Sequence, residues 1–271
     1  MCIRDSYCLV PLLWVIFSST KTSEGIFSSF GLWFDDKNVF WQNVQDTFAY
    51  QHGVYTRWLF NTIMYAVVAG VGATIIATFA GYAIATMRFP GRNALLAVTL
   101  AFMSIPSTVI TVPLFLMYSK IGLVGTPWAV IIPQLATPFG LYLMIIYAQT
   151  SIPVSLIEAA KLDGANTWTI FWKVGFPLLS PGFVTVLLFT LVGVWNNYFL
   201  PLIMLSDTND YPLTVGLNMW LKMGAQGTAN GQVPNNLIIT GSLIAVVPLI
   251  IAFMFLQKYW QSGLAAGSVK Q

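Results

Sequence analysis

The sequence predicts an all-α membrane protein with six transmembrane helices, and two observations lead to that prediction. Hydrophobic residues make up 57% of the 271 residues and charged residues only 8%, whereas an ordinary soluble domain is about a quarter charged. The apolar residues also lie in long continuous runs, which are typical of membrane-spanning helices and not of the short alternating strands of a membrane barrel. The formal net charge of +3 is too small to indicate a surface for nucleic acid.

Six apolar segments follow one another along the chain. A helix needs roughly 20 residues to cross the hydrocarbon core, so the last five segments are long enough and the first is too short. The expected segments lie at about 7–19, 58–87, 93–118, 127–150, 178–205 and 236–257.

The first six residues fit neither the start of a span nor a signal peptide, because they place Asp5 directly before the apolar run. We interpret residues 1–6 as a non-native leader, and we expect the first span to be truncated. The predicted organisation is then a single transmembrane domain over residues 7–271.

Lys and Arg are distributed unevenly over the two sides of the membrane that these spans define. Seven of the twelve stand on the side that carries both termini, and this side has a net charge of +4 once its acids are counted. The other side has five, in longer loops, and a net charge of −1. Because positively charged loops stay in the cytoplasm of an inner-membrane protein, we expect both termini, the segment 152–177 and the tail 258–271 inside. The loops 20–57 and 206–235 are expected outside.

The residue types that the sequence lacks disfavour several function classes. The five full spans contain no charged residue, whereas proton-coupled carriers and pumps need buried carboxylates or histidines; sodium coupling through backbone carbonyls stays open. The sequence also lacks a phosphate-binding glycine loop, so a separate subunit must supply the energy for active transport. Cys2 and Cys8 lack the spacing of metal ligands, and His52 stands in a polar loop. We therefore predict that the protein is not an enzyme and has no metal site.

The segment 152–177 is the most informative part of the chain, because it predicts a helix–turn–helix between two spans. Ser155 and Glu158 have the spacing of a capping box, in which two side chains satisfy backbone N–H groups at the start of a helix. Gly164 can adopt the left-handed conformation that ends this helix. Asp163 stands near that end, where the helix dipole disfavours a negative charge, so we expect it to fix the turn or to face a partner.

A second short helix is expected to follow, with Asn166 or Thr167 as its cap and Pro177 as the residue that ends it before the next span. Helices this short are marginal alone in water, so their apolar faces must be covered. Two coverings are open: lipid headgroups, on which an interfacial hairpin would lie, and a groove on a cytoplasmic partner protein.

Glu158-Ala159-Ala160, followed by Asp163-Gly164-Ala165 and by Phe176-Pro177, resembles the EAA loop of ATP-binding-cassette (ABC) importer permeases. The resemblance covers nearly the whole chain from Pro11 onward. It points to the carbohydrate branch of the family, and the chain is similar to maltose-type small permease subunits with a MetI-like transmembrane domain. The flanking stretches that support this branch include Ile105-Pro106, Trp195 to Pro201, Pro212 to Leu217 and Gly263 to Lys270. Asn197 departs from the pattern, since an acid is expected there in many relatives.

The resemblance implies the permease subunit of an ABC importer, which moves a sugar delivered by an extracellular or periplasmic binding protein. The implied partners are a second permease subunit, in a heterodimer, and two ATPase subunits. The ATPases hydrolyse ATP, so this chain is expected to bind no cofactor itself. A permease for a non-carbohydrate solute, and a stand-alone carrier or channel, are the alternatives. The implied coupling residues, which dock onto the ATPases, are Glu158, Ala159, Ala160, Asp163 and Gly164.

Trp195, Asn196, Asn197 and Tyr198 form the expected contact with solute, because amides can bond to sugar hydroxyls and aromatic rings suit the C–H faces of a pyranose. The same residues could instead form interhelical hydrogen bonds and packing contacts, and Gln134 shares this ambiguity. The outer loop 206–235 is long for a plain connection, so it either contacts the binding protein or forms a surface helix.

Overall fold

The computed structural model describes residues 2–226 and 233–268, with side chains described for residues 9–225 and 233–257. Residues 227–232 of the predicted outer loop and 269–271 of the predicted tail lie outside this description. Every regular element in the described ranges is helical, which confirms the predicted all-α class. The α-helices are α1 (Cys2–Ser19), α2 (Gly25–Ser28), α3 (Phe40–Thr86), α4 (Arg92–Met103), α5 (Ser107–Lys120), α6 (Pro127–Leu135), α7 (Pro138–Ser151), α8 (Val154–Leu162), α9 (Thr167–Ile170), α10 (Phe176–Trp195), α11 (Phe199–Met204), α12 (Leu213–Gln226) and α13 (Asn235–Ser268). A π-helical turn at Phe171–Gly175 joins α9 to α10, and a short 3₁₀ turn lies at Thr208–Asp210.

Four helical stretches in the described residues are long and apolar enough to cross a membrane. A fifth span is possible if α4 and α5, which meet at an angle of 104°, form one broken span. The first predicted segment appears as the shorter apolar helix Leu9–Ser19. The predicted total of six spans is therefore not confirmed. The four stretches are Phe40–Thr86, Pro127–Ser151, Thr167–Trp195 and Asn235–Gln257.

α3 begins well before the predicted span at residue 58, and a backbone break divides it. Tyr50 is extended, with φ −59° and ψ 136°. The next three residues, Gln51, His52 and Gly53, have positive φ angles of 49°, 60° and 80°. The polar part of α3 before the break has no long apolar run, which explains why hydropathy predicted only the later part.

The chain divides into two compact units, Met1–Thr62 with Ser206–Ile251, and Ile63–Leu205 with the chain from Ala252 onward. In the first unit, the buried Asn43 side chain joins the ends of three helices. Its Nδ2 donates to the Ser19 carbonyl at 2.8 Å and to the Lys21 carbonyl at 2.9 Å, and its Oδ1 accepts a bond from Asn236 Nδ2 at 2.7 Å. Trp220, which is fully buried, packs against Tyr55 and Trp58 in the same unit.

The second unit contains the segment 152–177 and packs it against α3, α7 and α10. These three helices approach closely at glycines: a Cβ added at Gly81 would lie 2.6 Å from the Met144 Cβ. The hydroxyls of Thr74 in α3 and Thr190 in α10 lie 3.0 Å apart. A shared apolar core joins the three helices. Its buried members from them are Ala77, Tyr82, Met144, Ala148, Leu179 and Val186.

Candidate functional site

The first helix of the segment 152–177 begins one residue earlier than a cap at Ser155 would require. Pro153 is the N-cap residue, with an extended backbone (φ −62°, ψ 134°), and α8 starts at Val154. Ser155 is therefore already inside the first turn, where its helical backbone is unsuited to capping. The predicted capping box of Ser155 and Glu158 is wrong: Pro153 already supplies the non-helical backbone that a helix start needs.

Gly164 ends α8 in the left-handed conformation, with φ +77°, as predicted. Two backbone bonds close the turn: the Gly164 N–H donates to the Lys161 carbonyl at 3.0 Å, and the Ala165 N–H donates to the Ala160 carbonyl at 3.0 Å. This pair of bonds is the Schellman motif. A Cβ added at Gly164 would meet no atom of the described residues within 4 Å, so the backbone conformation alone requires glycine here.

The second helix starts at a side-chain cap and does not stop at Pro177. Of the two caps that the sequence offers, the structure uses Asn166, whose Oδ1 accepts the Thr169 N–H at 2.8 Å. The helix then runs through the π turn, where the Phe176 N–H bonds to the Phe171 carbonyl, into α10. The prediction that Pro177 ends this helix is wrong. Pro177 lies in the first turn of α10, and the wider turn before it keeps the helix continuous around a residue that has no N–H.

The inner face of this helix pair is anchored in the core of the second unit. Ile157 of α8 and Ile170 and Phe171 of the second helix are buried in the same cluster as residues of α3, α7 and α10. The Phe171 ring stacks on Phe79 of α3, with ring centroids 4.7 Å apart. Movement of the pair must therefore be transmitted to the helices that it touches, because packed cores deform little.

The outer face of α8 is exposed and mixes apolar with charged side chains. Leu162 is 89% exposed and Val154 is 68% exposed. Glu158, Ala159 and Asp163 are exposed on the same short helix and its cap. The structure thus brings the five predicted coupling residues together on one nine-residue helix and the turn that ends it.

The residues Trp195 to Tyr198 lie at a break between two helices. α10 ends at Trp195 and α11 starts at Phe199. Asn197 Nδ2 donates to Gln134 Oε1 at 2.9 Å, and Gln134 lies just before a second break at Ala136 and Thr137, between α6 and α7. An interhelical amide pair therefore joins the two breaks. Asn196 is exposed, and its Nδ2 donates to the Val192 carbonyl at 3.0 Å.

Arg88 and Arg92 were not predicted as site residues, yet they lie beside α8. Together with Glu158 and Lys161 they line a cavity of about 790 Å³ below α8. One signal in the sequence could have found them. They flank a Pro90-Gly91 turn that the charge distribution places on the same side of the membrane as the segment 152–177.

Residues 73–265 of the chain match the family described as "Binding-protein-dependent transport system inner membrane component". The chain is 31% identical to the arabinooligosaccharides transport system permease protein AraQ of Halalkalibacterium halodurans, over 96% of this chain and 90% of that protein. It is 27% identical to the trehalose transport system permease protein SugB of Mycobacterium tuberculosis, over 97% and 93%. It is 32% identical to the osmoprotective compounds uptake permease protein GgtD of a Synechocystis strain, over 94% and 85%.

Among solved structures, the fold is similar to a chain of a bacterial ABC transporter involved in the import of the acidic polysaccharide alginate. The two chains superpose with a TM-score of 0.82 at 24% identity, over 95% of this chain and 92% of that one. At this identity the likeness establishes the shared fold.

Proposed function

The chain belongs to the family of binding-protein-dependent transport system inner membrane components, and on that premise we propose that it moves a sugar across the inner membrane. It is a multi-pass membrane protein and an importer permease subunit, so it transports a solute and catalyses no reaction. The energy for transport comes from ATP, which two separate ATPase subunits hydrolyse. A second permease subunit and an extracellular solute-binding protein complete the importer.

The names of the relatives support a carbohydrate as the solute. Relatives at 27 to 31% identity are named for arabinooligosaccharides, diacetylchitobiose and trehalose, and in each case the match covers more than 95% of this chain. Because another relative is named for osmoprotective compounds, a non-carbohydrate osmolyte is the second candidate for the solute. Affinity of the cognate binding protein across a panel of sugars and osmolytes distinguishes the two. Binding of the osmolytes alone would contradict a sugar importer.

One observation supports the coupling role of the segment 152–177 above the others. Its inner face is buried against three helices, whereas its outer face presents exposed apolar and charged side chains. A membrane covering would favour an outer face without carboxylates, because lipid headgroups attract basic side chains. Glu158 and Asp163 on this face therefore favour a protein partner. We assign that partner to the ATPase subunits, whose movement α8 passes into the spans.

The experiment that tests this role replaces Gly164 or Glu158 in the reconstituted importer. Gly164→Pro removes the N–H bond to Lys161 and excludes the φ of +77°, and Glu158→Lys reverses a charge on the docking face. We expect both variants to insert into the membrane at wild-type levels and to lose uptake together with solute-stimulated ATP hydrolysis.

A matched control is available at the end of α5. Gly122 has φ +68°, and its N–H bonds to the Ser119 carbonyl while the Leu123 N–H bonds to the Tyr118 carbonyl, which is the same turn as at Gly164. Gly122→Pro should disturb α5 locally and keep ATP hydrolysis coupled to uptake. If both Gly164→Pro and Glu158→Lys couple ATP hydrolysis to uptake as wild type does, the docking role of the segment 152–177 is contradicted.

A further inference from the structure

The cavity below α8 gathers positive charge from three separate elements. Arg88 follows the end of α3, Arg92 begins α4, and Lys161 lies in the last turn of α8. Glu158, which is also exposed on the outer face of α8, is the only acid among the described residues that line the cavity, so this lining has a surplus of two positive charges. Because like charges that are held close together repel one another, this surplus favours the binding of an anion.

Arg92 is held at the wall of this cavity. Its side chain is half-buried, and its Nη2 donates to the Ala85 carbonyl in the last turn of α3, at 3.4 Å. A guanidinium has five N–H donors in a planar fork, which suits the oxygens of a phosphate group. Thr86 and Thr167 add hydroxyl groups to the lining.

The apolar part of the cavity wall lies where membrane helices end. Ala148 and Ile152 come from the end of α7 and the link after it, and Ile157 comes from α8. The ends of spans lie level with phospholipid headgroups, and basic pockets between spans bind anionic headgroups. The volume of about 790 Å³ falls within the range of small-molecule sites and exceeds what a lone inorganic ion needs.

We propose that this cavity binds a phosphate-bearing ligand between Arg88, Arg92 and Lys161. An anionic phospholipid headgroup and a soluble phosphorylated compound share this chemistry. A phosphate held by both Arg92 and Lys161 bridges the start of α4 to the coupling helix. Occupancy of the cavity therefore adjusts how firmly α8 is tied to the spans.

The test measures ligand retention by the full-length chain, which does not depend on transport. In the lipid arm, native mass spectrometry compares phosphatidylglycerol with phosphatidylcholine of the same acyl chains. In the soluble arm, calorimetry measures the binding of inorganic phosphate to detergent-purified chain. Wild type should retain phosphatidylglycerol over phosphatidylcholine if the ligand is a lipid, and should bind phosphate if it is soluble.

Four variants distinguish binding in the cavity from a general attraction of the anionic ligand to positive charge. Removal of one cation should weaken retention of the anionic ligand about fivefold, so the double variant R88Q/R92Q should lose more than tenfold and Lys161→Gln about fivefold. The control variant K120Q/K222Q removes two exposed cations that lie outside the cavity and should retain the ligand as wild type does. R88K/R92K keeps both charges and should keep most of the binding, which separates the loss of charge from the loss of the arginine side chains.

Two results would overturn the proposal. One is that neither arm distinguishes wild type from R88Q/R92Q. The other is that K120Q/K222Q loses as much ligand as R88Q/R92Q, since the preference would then come from net charge alone. Neither result bears on the transport function, because both arms are measured without partner subunits.

Discussion

Asn166 caps the second helix of the segment 152–177, because its Oδ1 accepts a hydrogen bond from the Thr169 N–H. Loss of an N-cap side chain costs about 1 kcal/mol. We expect Asn166→Ala to raise hydrogen exchange at the Thr169 amide about fivefold, and Asn166→Asp to keep the protection. Ser155→Ala should leave exchange in α8 unchanged, because Ser155 caps nothing in the structure. Equal effects of the two alanine variants would contradict this interpretation of the helix ends.

Asn196 and Asn197 are adjacent amides with different surroundings, and we expect different consequences when each is replaced. Asn197 is bonded to Gln134 in the second unit, whereas Asn196 is exposed. We predict that Asn196→Ala raises the solute concentration needed for half-maximal uptake and leaves thermal stability unchanged. Asn197→Ala should instead lower the melting temperature, at a cost of about 0.6 to 1.7 kcal/mol for an interhelical bond in a membrane. Uptake assays and thermal unfolding in detergent check both. If Asn196→Ala lowers the melting temperature and Asn197→Ala does not, then Asn196 has the stabilising role that we assign to Asn197.

At the scale of elements, the contact between α3 and α7 depends on the absence of a side chain at Gly81. A Cβ there would lie 2.6 Å from the Met144 Cβ and 3.0 Å from the Met144 carbonyl carbon, so backbone must move. We expect Gly81→Ala to destabilise the chain by about 1 to 3 kcal/mol, measured by thermal unfolding. Gly193→Ala in α10 is the matched control, because a Cβ added there meets nothing within 4 Å. The control should be neutral or slightly stabilising, since alanine favours helix more than glycine. Similar losses in both variants would contradict close packing at Gly81.

Hydropathy and turn chemistry predicted some elements well and others poorly, for identifiable reasons. The long apolar segments and the end of α8 at Gly164 were predictable, because lipid solvation and left-handed backbone each act on local sequence. The breaks at Asn196–Tyr198 and Ala136–Thr137 were not, since the residues around them are apolar enough to continue a span. The hydrogen bond between Asn197 and Gln134 helps to fix these breaks, and the two residues are 63 positions apart in the sequence. Contacts at that distance leave no pattern in a single sequence.

At Pro177 the prediction failed for the opposite reason: the local rule that proline ends a helix does not hold there, because packing keeps the helix continuous. Proline usually ends a helix because it lacks an N–H and crowds the preceding turn. Here the π turn at Phe171–Gly175 precedes it, and the buried Phe171 holds that turn in the core. Tertiary packing therefore decides the continuity of this helix, and the sequence of the segment alone could not show it.

At the scale of the whole molecule, the proposed orientation is directly testable. We predict that a cysteine at Leu162 is protected from a membrane-impermeant maleimide in intact cells and is labelled after permeabilisation. A cysteine at Lys222, which is also exposed, should be labelled in intact cells. Cys2 and Cys8 are first replaced by serine so that each variant has one thiol. The reverse pattern would invert the topology and would place α8 out of reach of cytoplasmic ATPases.

The segment 152–177 is attached to the membrane helices by two unequal ends, and we expect the two ends to transmit force differently. Toward α7, the chain passes through Ile152 and Pro153 with extended backbone, which forms a joint. Toward α10, the helix runs without interruption from Thr167 to Trp195, 29 residues and roughly 40 Å. In the proposed coupling role, a push on α8 is passed along this long helix. The far end of this helix is the break beside Asn196, so in that proposal a displacement at α8 reaches the residues proposed to meet the solute.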